Sequence, residues 1–149
     1  QIFLEGIRIK NPPDFPGGVL AEISGALVDF EISSLLTGRL DFDEIVIVFE
    51  ELRVVRNPDG RLNLMALRPL KDQRDLGQER AKEGKALFSP VFYQFVLNLR
   101  RAVFTDLAAQ VPKQKTFDLK IERAVYRHVE SLRDVFEIIV WEAIRRIGI

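Results

Sequence analysis

The sequence predicts an α+β fold: a curved, mainly antiparallel β-sheet with long strands, and a long C-terminal helix packed on one of its faces. Several stretches alternate apolar and polar residues and are rich in β-branched side chains, as over Leu40–Val55, and a period of two is typical of strands. Over Leu132–Ile147 the apolar residues recur at helical spacing, which indicates an amphipathic helix. A sheet with an apolar face must bury it against another layer, and this helix is the candidate for that layer.

The chain length fits a single domain, residues 1–149. A domain of about 150 residues buries roughly 70% of the surface that its unfolded chain exposes, which is enough for a substantial core. Residues 70–86 are polar, charged and without periodicity, which predicts a flexible charged excursion from the domain. The chain begins at Gln1, already inside an apolar pattern, so we expect an upstream membrane anchor that is missing from this sequence.

Three strands are predicted in the N-terminal half, and their bounds are Ile2–Lys10, Val19–Ile32 and Leu40–Val55. In the second of them the apolar phase slips by one residue at Ser24-Gly25, which predicts a β-bulge. The third changes phase near Asp43-Glu44 and again near Glu50-Glu51. It would span roughly 50 Å, far more than a strand of the usual five or six residues, so it belongs to a wide sheet.

Two turns and four further strands are predicted after the second strand. Ser33–Thr37 predicts one helical turn closed by Gly38, and Asn57–Gly60 predicts a tight turn. The remaining predicted strands are Arg61–Leu64, Val91–Leu99, Ala102–Leu107 and Thr116–Val129, the middle two joined through Arg100-Arg101.

The C-terminal helix carries its own start and stop signals. Ser131 is the predicted N-cap, and Asp134 three residues later is the acidic member of a capping box. Arg145 and Arg146 in the last turn favour the helix dipole, and Gly148 ends the helix.

Composition excludes several kinds of chemistry. The chain has no cysteine and a single histidine, His128, so thiolate catalysis, disulfides, cysteine-zinc sites and a pair of histidine ligands are excluded. No serine lies in a Gly-x-Ser-x-Gly turn, and we interpret His128 as an ordinary strand-end residue. Basic and acidic residues number 22 each, which argues against a nucleic-acid partner. We therefore predict a protein that is not an enzyme and that takes no cofactor and no metal.

Aromatic residues give the candidate contact surface. Eleven phenylalanines stand against two tyrosines and one tryptophan, and phenylalanine has no polar group to satisfy, so these positions favour dry contacts. The candidate lipid or partner contacts are Phe42, Phe49, Phe95, Phe104, Phe136 and Trp141.

Two charged groups have alternative interpretations. The carboxylates Asp41, Asp43, Glu44, Glu50 and Glu51 could form a calcium or acid–base cluster, but the EF-hand spacing is absent and a solvated face that protects a sheet edge is favoured. The pairs Arg100-Arg101 and Arg145-Arg146 could meet anionic lipid headgroups. Solvated charges, or partners of the helix dipole, are the favoured interpretation of both pairs.

Three segments in order resemble the AsmA-like proteins of the bacterial envelope. The first is LEGIRIKNP followed by DFP, within residues 4–16; the second is VDFEISSLLTG, 28–38; the third runs from Ile45 through NPDGRLNL, ending at Leu64. The resemblance covers residues 2–67. It departs from the family's pattern in two respects: the chain is far shorter than the long members, and Glu50-Glu51 replaces the usual proline near the end of the third strand.

The resemblance implies a membrane-tethered domain on the periplasmic side of the inner membrane, held by an N-terminal anchor and involved without catalysis in lipid handling or envelope assembly. The alternative is a structural accessory subunit that docks onto a larger membrane protein complex through a sheet edge or the helix. The expected partners are accordingly membrane lipid or a membrane protein complex. A homo-oligomer is a further alternative, since a net charge of zero does little to prevent self-association.

Overall fold

A computed structural model describes residues 1–66 and 90–149. Its strands are β1 (Ile2–Lys10), β2 (Val19–Phe30), β3 (Leu40–Arg56), β4 (Pro90–Asp106) and β5 (Lys113–Val129). Its helices are α1 (Ile32–Leu35), a 3-10 helix (Asn63–Ala66) and α2 (Leu132–Ile147). The strands form one sheet in the order β1-β2-β3-β4-β5. The predicted charged excursion at 70–86 lies outside the described residues.

The predicted α+β class is wrong, because the described chain is mostly sheet: strands hold 57% of it and helices 19%. The sheet is also mixed rather than mainly antiparallel, since β3 and β4 run parallel, with Leu40 beside Pro90 and Arg56 beside Asp106. The helix α2 has the predicted bounds, but its 16 residues make it a short helix beside three strands of 17 residues. Apolar alternation is the same for either strand direction, so periodicity does not reveal a parallel pair.

Irregularities in the sheet account for the phase slips in the sequence. The register between β2 and β3 shifts around Ser24, as predicted, and again opposite Glu50 and Asp43. The break predicted at Arg100-Arg101 is wrong, since β4 runs through it as a single strand with a register shift against β5. A β-bulge inserts one residue, so the apolar residues switch between odd and even positions without the strand ending. In sequence, one bulged strand therefore resembles two short strands.

The predicted strand at Arg61–Leu64 is also wrong. Leu62 makes only an isolated bridge to Arg56, and the 3-10 helix begins at Asn63. The side chain of Asn63 explains the change, because its Oδ1 accepts hydrogen bonds from Val55 N and from Leu64 N. An amide that bonds the backbone locally competes with a strand ladder.

The core lies between α2 and the sheet. On the side of the sheet that faces α2, paired residues form a row across all five strands: Ile2, Val28, Ile45, Phe95 and Tyr126. The α2 side chains buried against the sheet are Val135, Ile139, Val140, Ala143 and Ile147. The contacts of α2 with the sheet are chiefly to β4 and β5, so Ile2 and Leu4 on the distant strand β1 stay exposed on the same face.

Polar contacts fix α2 at its start and its middle. Ser131 Oγ accepts from Asp134 N, and Gly148 closes the helix in the left-handed conformation, as predicted. The Tyr126 hydroxyl on β5 donates to Glu142 at 2.9 Å; burial and this bond raise the pKa of Tyr126 to about 12. Burial also raises the pKa of Glu142, but the bonds from Arg145 and Tyr126 outweigh it and hold that pKa below its ordinary value.

Candidate functional site

The six aromatic residues predicted as contacts are not gathered on one surface. Phe49 and Phe95 are buried in the core, where Phe95 stacks on Tyr126. Phe42 is half-buried and stacks on the core residue Phe92, with ring centroids 5.0 Å apart. These three side chains therefore contribute to the hydrophobic core instead of forming an accessible surface.

The other three predicted contacts lie nearer the surface. Phe104 is half-buried beneath the Arg56 guanidinium, 5.4 Å from its ring centroid, and Phe136 is half-buried on α2. Trp141 is 65% exposed on α2. Trp141 is therefore the one exposed residue among the six.

Among the residues that the structure describes, exposed apolar side chains are most numerous at one end of the sheet, where β1 begins and β2 ends. We call this the apolar end, and its members are Ile2, Phe3, Leu4, Ile32, Leu35 and Leu36. Ile2 pairs with Val28 on β2, and α1 begins at Ile32, four residues further along the chain. Strand pairing and chain connection thus place the start of β1 at the same end as residues 32–38, which comprise α1 and the turn that follows it and are called the α1 turn below.

The apolar end continues on both faces of β1. Ile2 and Leu4 lie on the α2 side of the sheet, and Phe3 lies on the opposite side, where its ring is packed over Gly25. A Cβ at Gly25 would sit 3.6 Å from that ring, in ordinary contact. The Phe3 ring is therefore supported from below while 60% of the residue faces solvent.

The α1 turn holds its apolar side chains outward by a network of hydrogen bonds. The Ser34 hydroxyl donates to Glu31 O at 2.7 Å and accepts from Asp41 N. Thr37 Oγ1 donates to Ser34 O at 2.9 Å. The side chain of Ser34 is thus buried under the turn, and Leu36 on the outside is 90% exposed.

A second feature is a groove of about 520 Å³ on the sheet face opposite α2. It is lined by the β1–β2 turn and by strands β3, β4 and β5, with Glu51, Arg53, Thr105, Gln114 and Thr116 among its polar residues. The Glu51 carboxylate, whose side chain is 8% exposed, bridges the guanidinium groups of Arg53 and Arg101. Both cations are half-exposed, so the groove wall contains an ion-pair network of one buried carboxylate and two partly solvated guanidinium groups.

The Glu51 network gives a pH-dependent prediction. Burial raises the pKa of Glu51, but the bonds and charges of Arg53 and Arg101 outweigh it and lower the pKa from its ordinary 4.5. A carboxyl group with a lowered folded pKa stabilises the fold above its unfolded pKa, and this stabilisation is lost as the pH falls through the folded value. Glu51→Gln is therefore expected to lower the free energy of unfolding by about 1–2 kcal/mol at pH 7, with the loss shrinking below pH 4.5.

Urea unfolding of the two proteins from pH 7 to pH 3 measures this difference. Glu50→Gln is the matched control, because the Glu50 carboxylate pairs with Arg100 where 38% and 65% of the two side chains are exposed; its effect is expected to stay within about 0.5 kcal/mol at every pH. A Glu51→Gln deficit that does not change with pH would contradict the assignment of charge to this network.

The remaining candidates from the sequence have ordinary surroundings. His128 is an exposed residue of β5 with a left-handed backbone. Each basic pair faces acidic partners: Arg100 and Arg101 pair with Glu50 and Glu51, and Arg145 and Arg146 with Glu142. In residues 1–66 and 90–149, histidine and acidic side chains form no group of three suited to a metal ion.

No helix in the described part of the chain is long and apolar enough to cross a membrane. Comparison with known proteins found no match to any protein-family model, any curated protein or any solved structure. The AsmA-like resemblance therefore remains a hypothesis based on residues 2–67.

Proposed function

We propose that this chain is a non-catalytic, membrane-tethered domain of the bacterial envelope that handles lipid or supports envelope assembly on the periplasmic side. The observation that carries the proposal is the apolar end, where six exposed apolar side chains meet at one end of the sheet. The resemblance of residues 2–67 to AsmA-like proteins supports the choice of an envelope lipid as the apolar partner.

The exposed side chains of the apolar end would gain free energy by leaving water for an apolar partner. Moving a Leu, Ile or Phe side chain from water into apolar surroundings contributes roughly 1.5–3 kcal/mol when the transfer is complete. Leu36 and Ile32 are 90% and 70% exposed, so nearly all of that free energy is available to a partner. Single exposed apolar residues are normal on a protein surface, whereas several at one end of a sheet point to an interaction site.

The opposite end of the sheet provides the control. Met65 in the 3-10 helix and Val111 in the β4–β5 loop are the exposed large apolar residues that the described part of the chain has at this end, each 70% exposed. A double variant Ile32→Glu with Leu36→Glu and a double variant Met65→Glu with Val111→Glu thus each remove two exposed apolar side chains and add two charges.

We expect the unaltered chain to float with phospholipid vesicles, and the Ile32/Leu36 double variant to partition at least tenfold less, a loss of about 1.4 kcal/mol. The Met65/Val111 variant should partition like the unaltered chain. Native mass spectrometry of material extracted from membranes provides a second measurement, in which bound phospholipid is expected. A chain that neither floats with vesicles nor retains lipid would overturn the proposal.

One observation favours a second candidate, the accessory subunit. The outer edge of β1 has no strand partner within the described structure, and an exposed edge can accept an added strand. The other edge strand, β5, has three non-glycine residues in the left-handed conformation, Lys120, Arg123 and His128, whereas β1 has one left-handed residue, Gly6; such residues interrupt a regular ladder. A bound polypeptide instead of lipid in the native mass spectrum would favour this function.

A further inference from the structure

We infer that the α1 turn enters the interfacial region of a lipid bilayer with Leu36 deepest, so that the domain stands on the membrane on its apolar end rather than lying on the α2 face. This inference rests on the proposed function and adds the orientation of the domain. It assigns the membrane contact to the turn between β2 and β3, and not to the aromatic and basic residues of α2.

The turn is built to present side chains rather than to bury them. Backbone bonds from Leu36 N to Ser33 O and from Thr37 N to Ser34 O close it, and Gly38 completes it at a φ of +74°. Together with the bonds of the Ser34 hydroxyl, they fix the backbone before any partner arrives. Little conformational entropy then remains to be lost when Ile32 and Leu36 enter an apolar phase.

The chemistry of the turn suits a bilayer interface. Residues 32–38 contain apolar and hydroxyl side chains and glycine, with no charged residue. The carboxylate of Asp41 behind the turn lies 3.5 Å from the Arg39 guanidinium, which offsets its charge. Arg39 keeps 58% of its side chain exposed, where a guanidinium can reach headgroup phosphates while its stem stays beside apolar surface.

The shape of the apolar end argues against a protein partner in this place. A stable protein–protein interface buries roughly 800 Å² on each partner, whereas six partly exposed side chains offer on the order of a few hundred Å². They also project from a turn and from both faces of an edge strand instead of forming one flat surface. A fluid bilayer needs no matching shape, so it can accept such projections.

The competing orientation places the exposed side of α2 on the membrane. The exposed side of α2 presents Trp141 with Arg145 and Arg146, a combination found where helices lie on membrane surfaces. Both arginines, however, are already paired with Glu142. The carboxylate reduces the charge that this face could offer to anionic lipid.

The absence of cysteine makes a site-specific test direct. Leu36→Cys, Val111→Cys and Trp141→Cys each introduce one thiol into the full chain, and all three positions are well exposed. Each variant is labelled with the polarity-sensitive fluorophore NBD. Its emission is measured with vesicles of phosphatidylcholine, alone or mixed with phosphatidylglycerol, and binding is measured by flotation of the same samples.

We expect a blue shift and a several-fold rise in emission at position 36, with no change at 111 or 141, and little dependence on salt or on the anionic lipid. If the labelled proteins float but the emission changes at position 141 and not at 36, the proposed orientation is wrong and the proposed function stands. The same conclusion follows if they float and the emission changes at no position. A failure of all three labelled proteins and the unlabelled chain to float would overturn both.

Discussion

Asn63→Ala is expected to lower the free energy of unfolding by roughly 3–5 kcal/mol, since it leaves several buried polar groups unpaired. Asn63 is fully buried. Its Oδ1 accepts from Val55 N at 2.9 Å and Leu64 N at 3.0 Å, and its Nδ2 donates to Arg53 O and Asn11 Oδ1 at 2.8 Å each. Its side-chain amide therefore makes all four of the hydrogen bonds that it can form, two accepted and two donated.

The position of Asn63 explains why the loss should be large. The register of β2 on β3 ends at Leu52, so Arg53 O and Val55 N lie beyond the last β2 partner. The Asn63 amide bonds both groups, as a residue of a neighbouring strand would. Without it these two backbone groups stay buried and unsatisfied, each costing about 1–3 kcal/mol.

Asn11→Ala is the matched control, because it removes a single bond to Asn63 together with bonds of 3.1 and 3.3 Å to carbonyls within the β1–β2 turn. Its expected cost is about 1 kcal/mol. Urea unfolding measures both variants, provided that the transition is two-state. Equal losses for the two variants would mean that the bonds of Asn63 to β3 contribute little.

Strand positions could be predicted from the sequence because burial of one face imposes a period of two on each strand. The bounds of β1 and α2 agree with the structure, and the phase slips at Ser24 and near Glu50 correspond to register shifts. The parallel pairing of β3 with β4 could not be predicted, because it depends on where the chain re-enters the sheet. The predicted fold class was wrong for this reason and because the share of helix in the chain was overestimated.

The candidate surface was harder to predict for a related reason. A phenylalanine such as Phe95 looks the same in sequence whether its face of the strand packs in a core or contacts lipid, and in the structure it is buried in the core that the sheet shares with α2. Leu36 lies in a turn, where neither helical nor strand periodicity assigns a face. The signal that could have indicated it is the pair of adjacent leucines after Ser33-Ser34, an apolar pair where a turn is normally polar.

Ala143→Asp is expected to destabilise the fold by about 4 kcal/mol or more at pH 7, because it places a carboxylate without a partner in a dry interface. Ala143 is fully buried in the stripe of α2 that faces the sheet. Trp141→Asp puts the same residue in the same helix at a position that is 65% exposed, and its expected cost is below about 1 kcal/mol.

The pH dependence of Ala143→Asp separates a buried charge from simple crowding. Burial raises the folded pKa of an aspartate above its unfolded value of about 3.9, so the folded state binds the proton more tightly. The deficit should therefore be largest at neutral pH and should shrink as the pH falls through the raised pKa. Thermal unfolding of both variants between pH 7 and pH 4 measures it. A deficit equal to that of Trp141→Asp would mean that α2 does not pack on the sheet, and one that is constant with pH would indicate steric overpacking alone.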